Sequence, residues 1–503
     1  MDTSMLYMAQ EATGIDAFLE KYFSPVSEAV SSVVFYAVPV FGTEMPLIVL
    51  WLVLLGLFFT LWLKFLNIRG FKHAFDLVRG IYTPKDAVGE VSHFQALATA
   101  LASTVGLGNI AGVAVAISIG GPGAAFWMVV AGFLAMSTKM AECMLAVKYR
   151  HVRDDGTVSG GPMYYLRDGL ASIGKAKTGK VLAALWAFFM MIAALGTNAF
   201  QSNQATAQVV AVSGDGGFGE WISSNRWTFG LLMAVVAGAV VIGGIKSIAK
   251  MASLLVPLMA ILYVACCLIV LGVNITDLPG AFVDIVSGAF NPQGVAGGVI
   301  GALIVGFQRA AYSNSAGVGD APIAHSTVRT NRPATEGFVA ALEPFFDTII
   351  VCTMTALAVV VTGVYKVQDP DAVGGVTLTS DAFATVSSWF PYLLAVAVVL
   401  FAFSTLLSNA FYGMKGFGYL FGDNRTAENV YKIVYLGFTV IGSAVALGPI
   451  IEFTDSVFFL PAVCNGIGLY LMSKVIRREF STYVGELRSG EIAPVALEHR
   501  APR

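Results

Sequence analysis

The chain has 503 residues, 56% of them hydrophobic and only 12% charged, with a net charge of −2. That balance belongs to a polytopic membrane protein whose solvent is the lipid bilayer, and it carries no basic signature of a nucleic-acid partner. All five cysteines (Cys143, Cys266, Cys267, Cys352 and Cys464) fall in apolar stretches without metal-ligand spacing, so reduced packing thiols are expected.

In chain order, residues 1–43 read as a polar to amphipathic, acid-rich, extracytoplasmic segment, with Lys21 its only basic residue and no cleavable signal peptide expected. Eleven apolar windows follow, each long enough to cross a bilayer. They are 45–66, 94–119, 124–147, 181–210, 227–245, 252–273, 294–313, 337–361, 392–411, 430–447 and 453–472. Alternate loops hold the basic residues, among them Arg69, Lys72, Arg79, Lys148, Arg150, Arg167, Lys246, Arg329, Arg332 and Arg425. The opposite loops hold only Lys21, Arg226 and Lys366. The positive-inside rule therefore puts the N-terminus outside and the C-terminus in the cytoplasm, in the cell inner (plasma) membrane. The tail after Lys474 is expected to be mostly disordered.

Within the second window, Ser103-Thr104-Val105-Gly106-Leu107-Gly108-Asn109-Ile110-Ala111-Gly112 places three glycines and two hydroxyls where an unbroken helix is disfavoured. Gly108 and Gly112 also form a small-xxx-small packing pair. A phosphate loop is a weak alternative, because no strand precedes the glycines. In the seventh window Ala316-Gly317-Val318-Gly319-Asp320 echoes Val105-Gly106-Leu107-Gly108-Asn109. Matched interruptions in two halves point to a transporter's binding site. Five spans separate them, and an odd repeat inverts the second copy. The expected fold is all-α, with eleven transmembrane helices in an inverted five-plus-five repeat preceded by an extra helix. The units are 1–43, then 44–93 (extra helix and cytoplasmic loop), the repeats 94–273 and 274–474, and the cytoplasmic tail 475–503.

Several motifs carry a family resemblance. They include Ala100-Leu101-Ala102 through Gly112, Gly120-Gly121-Pro122-Gly123-Ala124, Gly160-Gly161-Pro162-Met163-Tyr164-Tyr165, Ala321-Pro322-Ile323-Ala324 and Asp347-Thr348-Ile349-Ile350-Val351-Cys352-Thr353. Together they resemble the alanine or glycine:cation symporter family from Met45 to Met472. The resemblance implies a leucine-transporter-type fold and sodium-coupled uptake of small neutral amino acids. Two positions depart from the family pattern. Ser315 stands where Glu is usual after Ser-Asn, and Asn409 stands where the ninth-span motif usually has a substrate-facing Trp.

A zwitterionic solute needs N–H donors for its carboxylate, acceptors for its ammonium and a shaped pocket. The half-helix N-terminus supplies donors, assigned here to Leu107 and Gly108 beside Gly106, with the Thr104 hydroxyl nearby. Tyr312, Ser313 and Asn314 at the second break are acceptors or walls. Among the amides Asn198, Gln201, Asn203 and Gln204 in the fourth span, at least half are expected to bond between helices; Gln201 is taken as a site residue and Phe200 as a candidate wall. By family-type geometry, the carbonyls of Ala102 and Val105 would meet the hydroxyls of Ser404 and Thr405 around Na⁺, with Asn109 near a candidate second cation. The competing reading is that Ser404 and Thr405 bond back to their own helix. Asn409 predicts tolerance of serine, asparagine or glutamine beside alanine and glycine.

Of the charges at membrane depth (Lys139, Glu142, Arg309, Glu343, Asp347, Glu452 and Asp455), Lys139 is expected to pair with Asp347, or else with Glu142. A proton-coupled carrier remains an alternative through Glu343 or Asp347. An intramembrane enzyme is remote: the histidines His73, His93, His151, His325 and His499 lie in loops, at span ends or in the tail, and no nucleophile–base set is evident.

Overall fold

A computed structural model describes residues 28–40, 43–154, 156–214, 216–291, 298–366, 375–422, 424–445 and 447–495. Residues 1–27 of the N-terminal segment, with Lys21, and 496–503 of the tail, with His499, lie outside the described residues. The rest is mostly helical, with a small antiparallel hairpin pairing Ala37–Val40 with Thr43–Pro46 ahead of the first long helix, Leu47–Trp62.

Among the described residues, six helices are long and apolar enough to cross a membrane, or up to eight if each of two bent pairs is one span, so the chain is a multi-pass membrane protein. The other three expected windows fall on Leu47–Trp62, Gly298–Asn314 and Arg425–Ala444. The first two are short, with 16 and 17 residues, and the third carries Arg425, Glu428 and Lys432.

The first bent pair is the glycine-rich window. His93–Thr104 starts in a capping box, in which Ser92 Oγ accepts from the Gln95 N–H and Gln95 Oε1 from that of Ser92, at 3.2 and 3.0 Å. The helix stops at Val105, resumes as a wide π turn over Gly108–Gly112, and continues as Val113–Gly120, bent by 54°. In the seventh window the Gly298–Asn314 helix ends at Ser315, whose φ is +54°, with Gly317 and Gly319 also left-handed at +93° and +89°. Glycine accepts such angles at no steric cost. The chain re-enters a helix at Ala321–His325, capped by Asp320 Oδ1 2.7 Å from the Ala321 N–H. Both interruptions therefore lie where the echo puts them.

The segments expected in the cytoplasm share one end of the molecule. Arg150 donates to the carbonyls of Val88, Ser326, Val328 and Thr330, stitching two loops together. At the other end, Lys366 meets Asp284 at 3.5 Å. The tail departs from expectation: Ser473–Ser489 is a helix, not a disordered segment. It docks because Ile476, Phe480 and Tyr483 recur on one face and are buried, with Phe480 edge-on to Phe338. Lys148 and Glu479 pair at 2.7 Å across that seam.

Candidate functional site

Breaking a helix at membrane depth frees backbone groups that protein must satisfy, and side-chain amides do so here. The Leu107 N–H donates to Gln201 Oε1 at 3.1 Å, and the Gly106 N–H to Asn109 Oδ1 at 2.9 Å. Asn109 Nδ2 in turn donates to Asp347 Oδ1 at 2.7 Å. The other oxygen of Asp347 accepts from Ser313 Oγ at 2.8 Å and Thr348 Oγ1 at 2.7 Å, and Thr348 Oγ1 accepts from Asn314 Nδ2 at 3.0 Å. One buried carboxylate thus ties Asn109 of the first break to Ser313 and, through Thr348, to Asn314 of the second. The remaining amides divide as expected: Asn198 bonds to the Tyr435 carbonyl, Asn203 to those of Gly442 and Val445, and Gln204 to Asn203 and the Val376 N–H.

The expected Lys139–Asp347 pair does not form. Lys139 Nζ lies 3.0 Å from Glu343 and 3.3 Å from Asp320 instead. Glu343 is one turn before Asp347, and the segment Phe345–Cys352 is wound as a wide π helix, so counting residues from the helix end misjudges which carboxylate faces Lys139. Nor does Glu142 take the lysine. It accepts from the Gly317 N–H at 2.9 Å and from Asn465 Nδ2 at 2.6 Å, bracing the second break.

A small buried cavity lies between the two breaks. Of the expected substrate residues, Thr104, Gly108, Gln201, Tyr312 and Asn409 line it. Gly106, Leu107, Ser313 and Asn314 sit in the supporting layer just described, and Phe200 backs Tyr312 edge-on, with ring centroids 5.8 Å apart. The Tyr312 hydroxyl is buried without a hydrogen-bond partner among the described residues, and its ring packs on Phe458 at 4.7 Å. One turn from Tyr312, Arg309 holds Asp455 at 2.7 Å. Six lining residues were not anticipated: Ser103, Met190, Thr197, Ser315, Asp320 and Phe458. Asp320 had a signal, being an ionisable residue at membrane depth, but its place in the echo made it read only as the counterpart of Asn109.

Beside the cavity, Ser404 Oγ reaches the Ala102 carbonyl at 3.4 Å while also bonding back to Phe401 O at 2.9 Å. Thr405 Oγ1 is fully buried and has no hydrogen-bond partner among the described residues. It faces Gly106 so closely that a Cβ there would lie 2.5 Å from it. An unpaired buried hydroxyl is costly, and a hard cation wanting neutral oxygens fits it. Val105, the remaining expected ligand, is the irregular residue ending the half-helix. Asn109 has both ends of its amide engaged by Gly106 and Asp347.

Residues 28–496 match the sodium:alanine symporter family. The sodium/alanine symporter AgcS of Methanococcus maripaludis is 38% identical over 437 residues, covering 87% of this chain and 93% of that protein. The probable sodium/glutamine symporter GlnT of Bacillus subtilis is 33% identical over 448 residues, covering 88% and 89%. Among solved structures, that of MhsT in complex with L-phenylalanine superposes with a TM-score of 0.56 at 16% identity, covering 76% of this chain and 89% of that one. That last likeness concerns the fold, which is of the leucine-transporter type.

Proposed function

We propose that this chain, which belongs to the sodium:alanine symporter family, carries a small neutral amino acid into the cytoplasm together with Na⁺. It is a transporter, not an enzyme. Eleven spans in an inverted five-plus-five repeat behind an extra helix, N-terminus outside, are the architecture in which the two breaks serve this task. The observation that carries the reading is the cavity held between both breaks, with the unpartnered Thr405 hydroxyl at its edge.

In the bound state the solute's carboxylate takes the Leu107 and Gly108 N–H groups. It displaces the Gln201 carbonyl oxygen, which now occupies the Leu107 donor at 3.1 Å and stands in for a carboxylate oxygen. The Tyr312 hydroxyl supplies a further bond. Na⁺ sits among Ala102, Val105, Ser404 and Thr405. Asn409, in place of an indole, leaves room for alanine, glycine and longer polar neutral side chains.

One Na⁺ moving down about 100 mV releases about 2.3 kcal/mol, and a roughly tenfold gradient adds about 1.4 kcal/mol. Together they concentrate a neutral solute about 500-fold. The test is uptake of labelled alanine into proteoliposomes under a sodium gradient, with an inside-negative potential added or withheld. Uptake that is unchanged when choline replaces sodium overturns the coupling. Proton coupling is the second reading, favoured by Glu142 and Glu343, each of which has one buried carboxylate oxygen without a partner. It predicts accumulation driven by a pH gradient in choline.

A further inference from the structure

Asp320 is the one carboxylate lining the cavity, and its two oxygens are used differently. Oδ1 accepts from the Ala321 N–H at 2.7 Å and from Lys139 Nζ at 3.3 Å. No hydrogen bond reaches Oδ2 among the described residues. Asn409, 5% exposed, and Ser315, 4% exposed, also line the cavity, and among the described residues neither side chain has a hydrogen-bond partner. The cavity lining therefore holds an acceptor paired with Lys139 and an amide offering both a donor and an acceptor. Met190, Tyr312 and Phe458 also line the cavity.

Resting on the transport reading, we propose that Asp320 and Asn409 form a side-chain subsite that selects neutral amino acids ending in a carboxamide and rejects acidic ones. The substrate's amide N–H donates to Asp320 Oδ2, and its carbonyl accepts from Asn409 Nδ2. An apolar chain of the same length leaves both protein groups desolvated and unpaired, and a site built to bond a polar group discriminates strongly against an analogue lacking it. A side-chain carboxylate meets the Asp320 charge in a buried site, where like charges repel with little screening.

The test uses the full chain purified in sodium, with labelled alanine displaced by glutamine, glutamate or norleucine. Glutamine is expected to compete at least tenfold better than norleucine or glutamate. Asp320→Asn removes the charge at constant size and is expected to raise glutamate at least fivefold relative to glutamine. Asn409→Leu leaves Lys139 and its partners in place and is expected to bring norleucine level with glutamine. Sodium-dependent alanine binding in which glutamine shows no advantage over norleucine and glutamate overturns the subsite and leaves the transport reading standing. The same holds if the variants move all ligands in parallel. Absence of sodium-dependent binding for every probe overturns both.

Discussion

Replacing Thr405 by valine tests the cation site in two directions at once. Without sodium, the wild-type hydroxyl is buried and unpartnered, a penalty of about 1–3 kcal/mol. Thr405→Val keeps the shape and removes the penalty, so the sodium-free protein melts at or above the wild-type temperature. Sodium shifts the balance toward the wild type, because in the variant the ion loses an oxygen, and the order reverses where the unpaired-hydroxyl penalty is below about 1.8 kcal/mol. A loss of about 1–3 kcal/mol raises the half-saturating sodium concentration about fivefold to 150-fold. At a concentration one hundred times the wild-type Kd, sodium stabilises the wild type by about 2.7 kcal/mol. A site thirtyfold weaker gains about 0.9 kcal/mol at the same concentration. The assay is thermal melting of detergent-solubilised protein in sodium and in choline, paired with the sodium dependence of alanine uptake. Equal sodium dependence in the two proteins, with a melting difference that sodium leaves unchanged, would refute the ligand role and return Thr405 to helix packing.

A Cβ at Gly108 would lie 3.4 Å from the Ser313 Cα and 3.5 Å from the Tyr312 ring, which is ordinary contact. Gly108→Ala should therefore insert and fold normally, whereas Gly108→Val, projecting two methyls toward the carboxylate position, should abolish uptake at normal expression; full uptake by the valine variant would refute the assignment. Lys139→Met leaves Asp320 and Glu343 buried without their cation and should destabilise by about 3–5 kcal/mol, read as a lowered melting midpoint; an unchanged midpoint would show that the pair is not structural. Asn409→Trp should narrow uptake toward alanine and glycine, seen as weaker competition by glutamine than by alanine; an unchanged rank order would mean that Asn409 does not limit the pocket.

The two breaks were legible in the sequence because they echo one another. Gly-x-Gly spacing alone does not release a helix, since Gly416 with Gly418 and Gly466 with Gly468 lie inside unbroken ones; what marked Gly106 with Gly108 and Gly317 with Gly319 was the repeat of the whole small-Gly-apolar-Gly-polar stretch in two halves. The proposed cation ligands Ser404 and Thr405 were legible only through resemblance, since hydroxyls bond back to their own helix, as Ser404 does in part. The partner of Lys139 was not legible, because wide turns at Phe345–Cys352 alter the helical phase by an amount no residue count contains. Likewise the buried cluster in which His93 and His325 both bond Glu336 joins residues 243 positions apart. No periodicity reports such a contact. The tail helix is a different case: Ile476, Phe480 and Tyr483 carry the spacing of an amphipathic helix, and the charges between them masked it.

On the proposed reading, coupling between ion and solute would run through one peptide segment. A Cβ at Gly106 would lie 2.5 Å from Thr405 Oγ1 and 3.1 Å from Gln201 Nε2, so the proposed ion ligand and the side chain holding the carboxylate donor press on the same glycine from two directions. The N–H of that glycine is fixed by Asn109, which is itself anchored on Asp347 together with Ser313 from the other break. In the proposed site, an ion drawing Thr405 toward the Ala102 and Val105 carbonyls would change the room at Gly106. That would in turn set whether Gln201 stays on the Leu107 N–H or yields it to the solute. Such coupling is a free energy shared by the two ligands, so the factor by which sodium tightens alanine must equal the factor by which alanine tightens sodium. A larger residue at position 106 would separate the two contacts that carry this energy, which is the physical reason for a glycine in the middle of the break.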